Sequence, residues 1–409
     1  MLAESRRPAM PRCGGGPAAY EPPAGGDRLS AAVGVVAAAV VGVLVACASR
    51  YGYHRDELYF LAAGRHLAWA YPDQGPLTPL LARMTSALDA GSLTVLRLPA
   101  ALAAGGTVWL TGALAREFGG CRRAQVLAAC CSAVAVVVLF TGHTVSTSTF
   151  DLLAWTAITW LVARAVRGGH DRLWLGVGVV LGVALLNKPL PVLLAAALVA
   201  GVLAAGPRRL LRDRYVWTAA VIAVVLWSPW LLWQARYGWP QLAVSRSIAA
   251  GGSASSQPWW AMVPFQALLA GPLLAPVWIL GLTRIFRAAE LRQVRFFGWA
   301  WVLLAVAFMA TGGKPYYLAG MLPVLIGAGS VPVDGWLQRG RARGRRILLG
   351  AVVALSTVAG IVIALPVLPA HDAGPVIAMN ADVGETIGWP ALVTTVAEVA
   401  HRLPPGRRR

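Results

Sequence analysis

Apolar runs close to twenty residues long alternate with short polar loops along almost the whole chain. Eleven runs stand out, at 31–49, 93–114, 124–142, 150–166, 173–188, 189–206, 215–234, 262–283, 296–312, 316–337 and 347–369. Runs of about 18 or more apolar residues can cross the hydrocarbon core of a bilayer as helices. The pattern therefore predicts an all-α integral membrane protein with about 11 transmembrane helices, the fifth and sixth parted mainly by Asn187-Lys188-Pro189. Between the first two runs lies a long loop, 50–92. Asp56 through Trp69 has helical composition, with acids in its first turn where the helix dipole favours them. After a break at 71–76, Leu77, Leu80, Leu81, Met84 and Leu88 repeat at i, i+3 and i+4. That spacing predicts an amphipathic helix lying along the membrane surface.

Composition supports the membrane assignment. The chain is 57% hydrophobic and only 13% charged over 409 residues, and its mean hydropathy is +0.63. The net charge of +19 at first suggests nucleic acid. The arginines, however, form no basic domain and return once per pair of apolar runs. They fall at Arg6/Arg7/Arg12, Arg116/Arg122/Arg123, Arg164/Arg167/Arg172, Arg208/Arg209/Arg212/Arg214, Arg284/Arg287/Arg292/Arg295 and Arg339 through Arg346. Short basic loops stay in the cytoplasm. The expected topology is a multi-pass cytoplasmic-membrane protein with its N-terminus inside, its C-terminus and working face outside, and no nucleic-acid partner.

Three regions follow. Residues 1–28, rich in Pro, Gly and Arg, read as a disordered cytoplasmic tail. Residues 29–369 are the polytopic domain, and 370–409 a short extracytoplasmic tail. The first apolar run is too long for a signal-peptide core, although Leu44-Val45-Ala46-Cys47 resembles a lipoprotein cleavage site, so it reads as an uncleaved anchor. The five cysteines lie outside the predicted external loops and lack metal-site spacing, so neither a disulfide nor a cysteine-ligated metal is expected. A second external loop, 235–261, carries Arg236 and Arg246, a Gly/Ser-rich stretch, then Trp259 and Trp260. It reads as a mobile segment anchored at the headgroups.

The candidate chemistry gathers at the external ends of the runs. Ionisable groups there are costly beside lipid and tend to mark function. Asp56 and Glu57 follow the first run and are candidate catalytic acids; the alternative is that both are ordinary first-turn helix acids. Asp151, after His143 and Ser146-Thr147-Ser148-Thr149, is a third, with a helix-end acid behind a Ser/Thr cap as the alternative. The chain has 34 arginines and two lysines, Lys188 and Lys314, each directly before a proline. An ammonium at such a break suits a phosphate oxygen, although lysines at helix ends also snorkel. Arg65, Arg83, Arg97 and Arg246 are further external cations, suited to phosphate or to lipid headgroups. No Walker A phosphate-binding loop, dinucleotide fingerprint, HExxH or nucleophile elbow is present.

Four stretches carry a resemblance: His54 through Phe60, Asp73 through Leu80, Thr149 through Trp155, and Lys314-Pro315-Tyr316-Tyr317. In order and sidedness they resemble the GT-C class of polytopic glycosyltransferases, over roughly residues 30–390. The nearest likeness is to the dolichyl-phosphate-mannose-protein mannosyltransferase-like group (glycosyltransferase family 39), which includes the aminoarabinose transferases. The resemblance implies a GT-C fold and a donor sugar on a polyprenyl phosphate. It implies inverting transfer to a hydroxyl of a protein, lipid or glycan outside the membrane. Asp56 falls on the catalytic base, Asp151 on the second acid and Asp73 on the acidic position of the first loop's Pro-rich turn. Candidate substrate contacts are Lys188, Lys314, Arg65, Asp73, Tyr59, Tyr316, Tyr317, His143 and Arg246. Some relatives bind a divalent metal near the turn; none is assigned here. Two departures are expected to matter. Gly75-Pro76 replaces the usual two prolines, which loosens the turn, and a folded external domain usually follows a segment like 384–390, leaving 370–409 as its remnant. The alternatives from other classes are a transporter or lipid flippase, which predicts repeats and helices broken in mid-membrane, and an inactive membrane scaffold.

Overall fold

The computed structural model describes residues 29–402 apart from 254 and 341; the tail 1–28, Cys13 and the last seven residues lie outside it. Helices account for nearly all of the regular structure, and there is no β-strand among the described residues. The first half contains α1 (Ala31–Cys47), α2 (Arg55–Arg65), α3 (Leu77–Leu88), α4 (Leu93–Glu117), α5 (Arg122–Ala133), α6 (Val136–His143), α7 (Thr147–Gly168), α8 (Leu173–Leu185) and α9 (Pro191–Ala205). The second contains α10 (Arg214–Arg236), α11 (Pro240–Ala249), α12 (Met262–Ala270), α13 (Ala275–Arg287), α14 (Phe296–Thr311), α15 (Leu322–Leu337) and α16 (Ala342–Ala364). The C-terminal segment adds α17 (Gly374–Met379), α18 (Ala381–Gly384) and α19 (Trp389–Arg402).

Five helical stretches are long and apolar enough to cross a bilayer: α4, α7, α10, Pro315–Leu337 and α16. Two bent pairs raise the number to seven, with a 58° turn between α5 and α6 and a 98° turn at Gly271. Four of the eleven apolar runs form shorter helices, α1, α8, α9 and α14. The last run ends earlier than its hydropathy suggests, at Ala364. Both bends are apolar, at Val134-Ala135 and at Gly271-Pro272.

The inner helices are α4, α7 and α15, and α4 packs against α1, α5, α6, α7 and α15. Small residues permit this. A side chain at Gly105 or Gly112 of α4 would strike Val41 or Val33 of α1. Gly281 and Gly329 let α13 and α15 cross with each backbone against the other's carbonyl, Leu325 and Val277. Without a hydrophobic force between helices in lipid, such close approach is a main source of packing attraction. By contrast, α10 and α16 are mostly exposed and lie at the periphery.

The basic loops gather at one end. There Arg284 donates to the Phe118 carbonyl at 3.0 Å and pairs with Glu290 at 3.1 Å. Arg167 donates to the Glu290 carbonyl at 2.8 Å, and Arg123 lies 3.3 Å from Asp334. The candidate acids and both lysines cluster elsewhere, in the loops at the other ends of the same helices.

Between α1 and α4, the long loop contains α2 and α3. The face of α3 bearing Leu80, Met84 and Leu88 is exposed, while Thr78, Ala82 and Thr85 pack inward. Helix α2 is shorter than the sequence suggests, ending at Arg65. The 235–261 loop is also more regular than its composition indicates, since it contains α11.

Candidate active site

The two acids of α2 are neighbours with different fates. His54 caps the helix: its Nδ1 accepts from the Asp56 amide at 3.2 Å, and its own amide donates to Glu57 Oε2 at 2.9 Å. This reciprocal arrangement satisfies amide donors that a helix start leaves unpaired. Glu57 then turns inward. Its Oε1 accepts from Arg97 Nε at 2.9 Å and from the Val145 amide at 3.0 Å, and its Oε2 from Arg97 Nη2 at 2.8 Å. Arg97 also donates to the Ala48 and Gly52 carbonyls, each at 2.8 Å, and lies 3.3 Å from His143 Nε2. Glu57 is 0% and Arg97 1% exposed. Glu57 thus has every oxygen occupied and is fully buried, which departs from its reading as a catalytic acid and fits the first-turn alternative. His143, also buried, belongs to this interior cluster rather than to a substrate surface.

Asp56 faces the other way, with its side chain 43% exposed. Around it the fold assembles residues distant in sequence. Asp151 sits one turn inside α7, because Ser146 is the cap, accepting from the Thr149 amide at 3.2 Å. It is therefore not a helix-end acid. It is 8% exposed, and its Oδ1 accepts from Trp155 Nε1 at 3.1 Å. Trp155 is held in turn by Gly320, where any side chain would overlap the indole.

Lys188 Nζ stands 4.7 Å from the ring centre of Tyr317 and 5.5 Å from that of Tyr316. Lys314 Nζ is 5.7 Å from the Tyr316 ring centre. A cation over an aromatic face is attracted by the ring's quadrupole. The charges acting on Lys188 are Asp151 first, then Lys314, Asp56 and Asp73. Neither lysine has a carboxylate oxygen within ion-pair distance among the described residues. Burial lowers the pKa of Lys314, opposed first by Asp56 and then by Asp382.

The first-loop turn joins the cluster through a direct stitch. The Gly75 amide donates to the Asn187 carbonyl at 3.1 Å and the Leu77 amide to the Leu186 carbonyl at 3.1 Å. Thr78 Oγ1 donates to Asn187 Oδ1 at 2.7 Å, and Asn187 Nδ2 to the Thr147 carbonyl at 2.8 Å. Gly75 lies so close to the Leu186 carbonyl that any Cβ would overlap it. The glycine therefore tightens the turn against the α8–α9 break, the reverse of the loosening expected. Tyr59 completes the attachment, donating to Asp73 Oδ1 at 2.7 Å. Burial, and then that carboxylate, push its phenol well above the ordinary value, so it remains a donor.

The structure thus brings together Asp56, Asp73, Asp151, Lys188, Lys314, Tyr59, Tyr316 and Tyr317. Two expected contacts lie apart. Arg65 lines a surface cavity of about 550 Å³ with Arg83, Leu58 and Leu61, on a different face of α2 from Asp56 and Tyr59. Arg246 is exposed on α11, whose last turn packs Ala249 against Gly312, two residues before Lys314.

The sequence reading missed Asp382 and Glu385. The segment after α16 folds back over the start of α2, where the Gly52 amide donates to the Thr386 carbonyl at 2.8 Å. Glu385 Oε2 lies 3.1 Å from both His54 Nε2 and Arg55 Nε. His54, Asp382 and Glu385 are also the one group among the described residues with metal-ligand spacing, within 4.8 Å of one another. His54 Nδ1 is taken by the Asp56 amide, which leaves Nε2 facing Glu385, and Arg55 shares the same Oε2. Asp73 is not part of that group.

Comparison with known proteins gives a consistent relationship. Residues 73–233 match the family model of dolichyl-phosphate-mannose-protein mannosyltransferase. The chain is 28% identical over 285 residues to an undecaprenyl phosphate-alpha-4-amino-4-deoxy-L-arabinose arabinosyl transferase of Pseudomonas fluorescens, covering 64% of this chain and 48% of that protein. The chain thus spans about half the length of the curated relative it matches. In structure it resembles ArnT from Cupriavidus metallidurans, crystallised with undecaprenyl phosphate: TM-score 0.64 and 18% identity, covering 91% of this chain and 81% of the other. It also resembles the oligosaccharyltransferase AglB from Archaeoglobus fulgidus, solved with an inhibitory peptide and a dolichol-phosphate: TM-score 0.56 and 14% identity, covering 92% and 58%. At these identities the structural likeness is one of fold, and the fold is that of ArnT.

Proposed function

From its resemblance to the GT-C glycosyltransferases, in sequence and in fold, we propose that this chain is an inverting glycosyltransferase. It moves a sugar from a polyprenyl-phosphate donor to a hydroxyl of a protein, lipid or glycan. The observation that carries this reading is the pair Lys188 and Lys314: two cations on tyrosine faces, without a direct carboxylate partner among the described residues, beside the accessible Asp56. Such a pair suits an anion brought by the substrate, and a phosphate monoester or diester is the one a lipid-linked sugar carries.

In the reaction, Lys188 and Lys314 hold the donor phosphate and stabilise the negative charge that grows on it. Asp56 takes the proton of the acceptor hydroxyl. The acceptor oxygen bonds to the anomeric carbon as the carbon–phosphate oxygen bond breaks, and the polyprenyl phosphate leaves. Asp151, fixed by Trp155, orients the acceptor or Asp56. Tyr59 and Asp73 keep the turn seated, and Glu57 with Arg97 sets the rotation of α2. Arg246 and the 235–261 loop cover the donor. With the arginine loops in the cytoplasm, all 11 apolar runs span the membrane and the site faces outward. No metal enters this scheme.

The test uses membranes containing the parent protein or Asp56→Asn, supplied with a panel of radiolabelled polyprenyl-phosphate sugars. Transfer by the parent is expected to fall by about 10²–10⁴ in the variant, the usual worth of such a base. Full activity of Asp56→Asn would sink the assignment.

A further inference from the structure

The C-terminal segment reaches the candidate base through one side chain. Glu385 follows α18 and lies more than three hundred residues from α2 in sequence. Its Oε2 stands 3.1 Å from Arg55 Nε, and the same Nε stands 3.3 Å from Asp56 Oδ1. Arg55 is thus shared between a carboxylate of the tail and the acid read as the base. The second contact of Glu385, 3.1 Å to His54 Nε2, acts on the residue that caps α2 and accepts the Asp56 amide. Hydrogen bonds to three backbone carbonyls hold the segment in place. The Thr386 carbonyl accepts from the Gly52 amide, Tyr51 donates to the Leu368 carbonyl at 2.7 Å, and Asn380 Nδ2 donates to the Ile363 carbonyl at 3.1 Å. Gly52 allows the approach, since a Cβ there would lie 2.8 Å from the Thr386 carbonyl oxygen. The segment is therefore a built part of the site's wall.

A guanidinium bound tightly to a carboxylate lowers its affinity for a proton. A general base so paired is a weaker base. Arg55 Nε donates to Asp56 Oδ1, while the Glu385 carboxylate stands nearer to the same nitrogen. We propose that Glu385 is a positioning residue that shares the Arg55 charge and fixes the His54 cap, so that Arg55 binds Asp56 less tightly and Asp56 can give up that contact to accept the acceptor's proton. The inference rests on the reading of Asp56 as the base. It also gives the tail segment 380–386 a specific task.

The experiment is a double-variant cycle on the full chain in membranes, with the donor sugar found active in the transfer assay. Glu385→Gln keeps the size of the side chain and its contact with His54 but loses the charge that attracts Arg55. It is expected to lower kcat about tenfold with little change in KM for the donor, because Arg55 then pairs with Asp56 alone and competes with the acceptor's proton. Arg55→Leu alone is expected to retain at least the parent kcat, although it breaks the same Glu385 contact. Combined with Glu385→Gln, it is expected to restore most of the lost rate. A purely structural role predicts no rescue, and a double variant as slow as Glu385→Gln would overturn the proposal. Should Glu385→Gln fail to fold, Arg55→Leu still decides: a loss of kcat near tenfold would overturn it. Asp56→Asn separates the two readings. If it is as active as the parent, the function reading fails. If it is inactive while Glu385→Gln runs at the parent rate, only the role of Glu385 fails.

Discussion

Two charged clusters lie on either side of one short helix and obey opposite rules. On the inner side, Glu57, Arg97 and His143 form a buried, directly paired set in which Glu57 has all its acceptor sites used. On the outer side, Asp56, Asp151, Lys188 and Lys314 act on one another without direct ion pairing. A buried charge removed from a paired network leaves its partner stranded, at a large cost. A charge held apart from its opposite keeps its capacity to bind something else. The contrast shows how one pair of adjacent acids can serve the fold and the chemistry separately.

The sharpest break of this comparison comes from the inner cluster. Glu57→Ala should destabilise the protein by about 3–5 kcal/mol, since it leaves Arg97 buried and unpaired. Thermal unfolding in detergent should register that loss before any donor is added. On the outer side the opposite pattern is expected. Lys188→Met or Lys314→Met should leave unfolding nearly unchanged and weaken polyprenyl-phosphate binding by about 10- to 100-fold, the worth of one hydrogen bond to a charged group. A large stability loss in either lysine variant would erase the distinction. Gly75→Ala should disturb both measures, because its methyl group must displace the Leu186 carbonyl; overpacking of this kind costs about 1–3 kcal/mol. Thr78→Val should be milder, near 1 kcal/mol, through loss of the hydrogen bond to Asn187. The smallest effect is a pH dependence. The burial that lowers the Lys314 pKa places its loss of charge below that of a free lysine. Donor binding should therefore weaken as pH rises through that lowered value, and Lys314→Met should lack this limb.

Hydropathy located most of the helices because it averages over a length comparable to the helix itself. α4 and α7 extend only a few residues beyond their apolar runs, and α3 begins and ends with its periodic leucines. The same averaging hid the bends. Val134-Ala135 carries no breaking residue, and Gly271-Pro272 sat inside an otherwise continuous apolar run. Which ionisable residues gather was largely legible, because lysine scarcity and placement at helix ends are sequence properties. Their pairing was not. Asp56 and Glu57 look alike in sequence, and only the fold brings Arg97, forty positions away, to one of them. Asp382 and Glu385 were missed because their segment has little apolar pattern and its partners, His54 and Arg55, lie at the far end of the chain.

The stitch between the first-loop turn and the α8–α9 break has an evolutionary consequence. Gly75, Leu77 and Thr78 are bonded to Leu186 and Asn187, with no room between the two backbones. Neither segment can lengthen or shift by a residue without unseating Asp73 on one side or Lys188 on the other. Substitutions at 75–78 and at 186–187 should therefore be inherited together among close homologues, two short stretches about 110 positions apart drifting as a single unit.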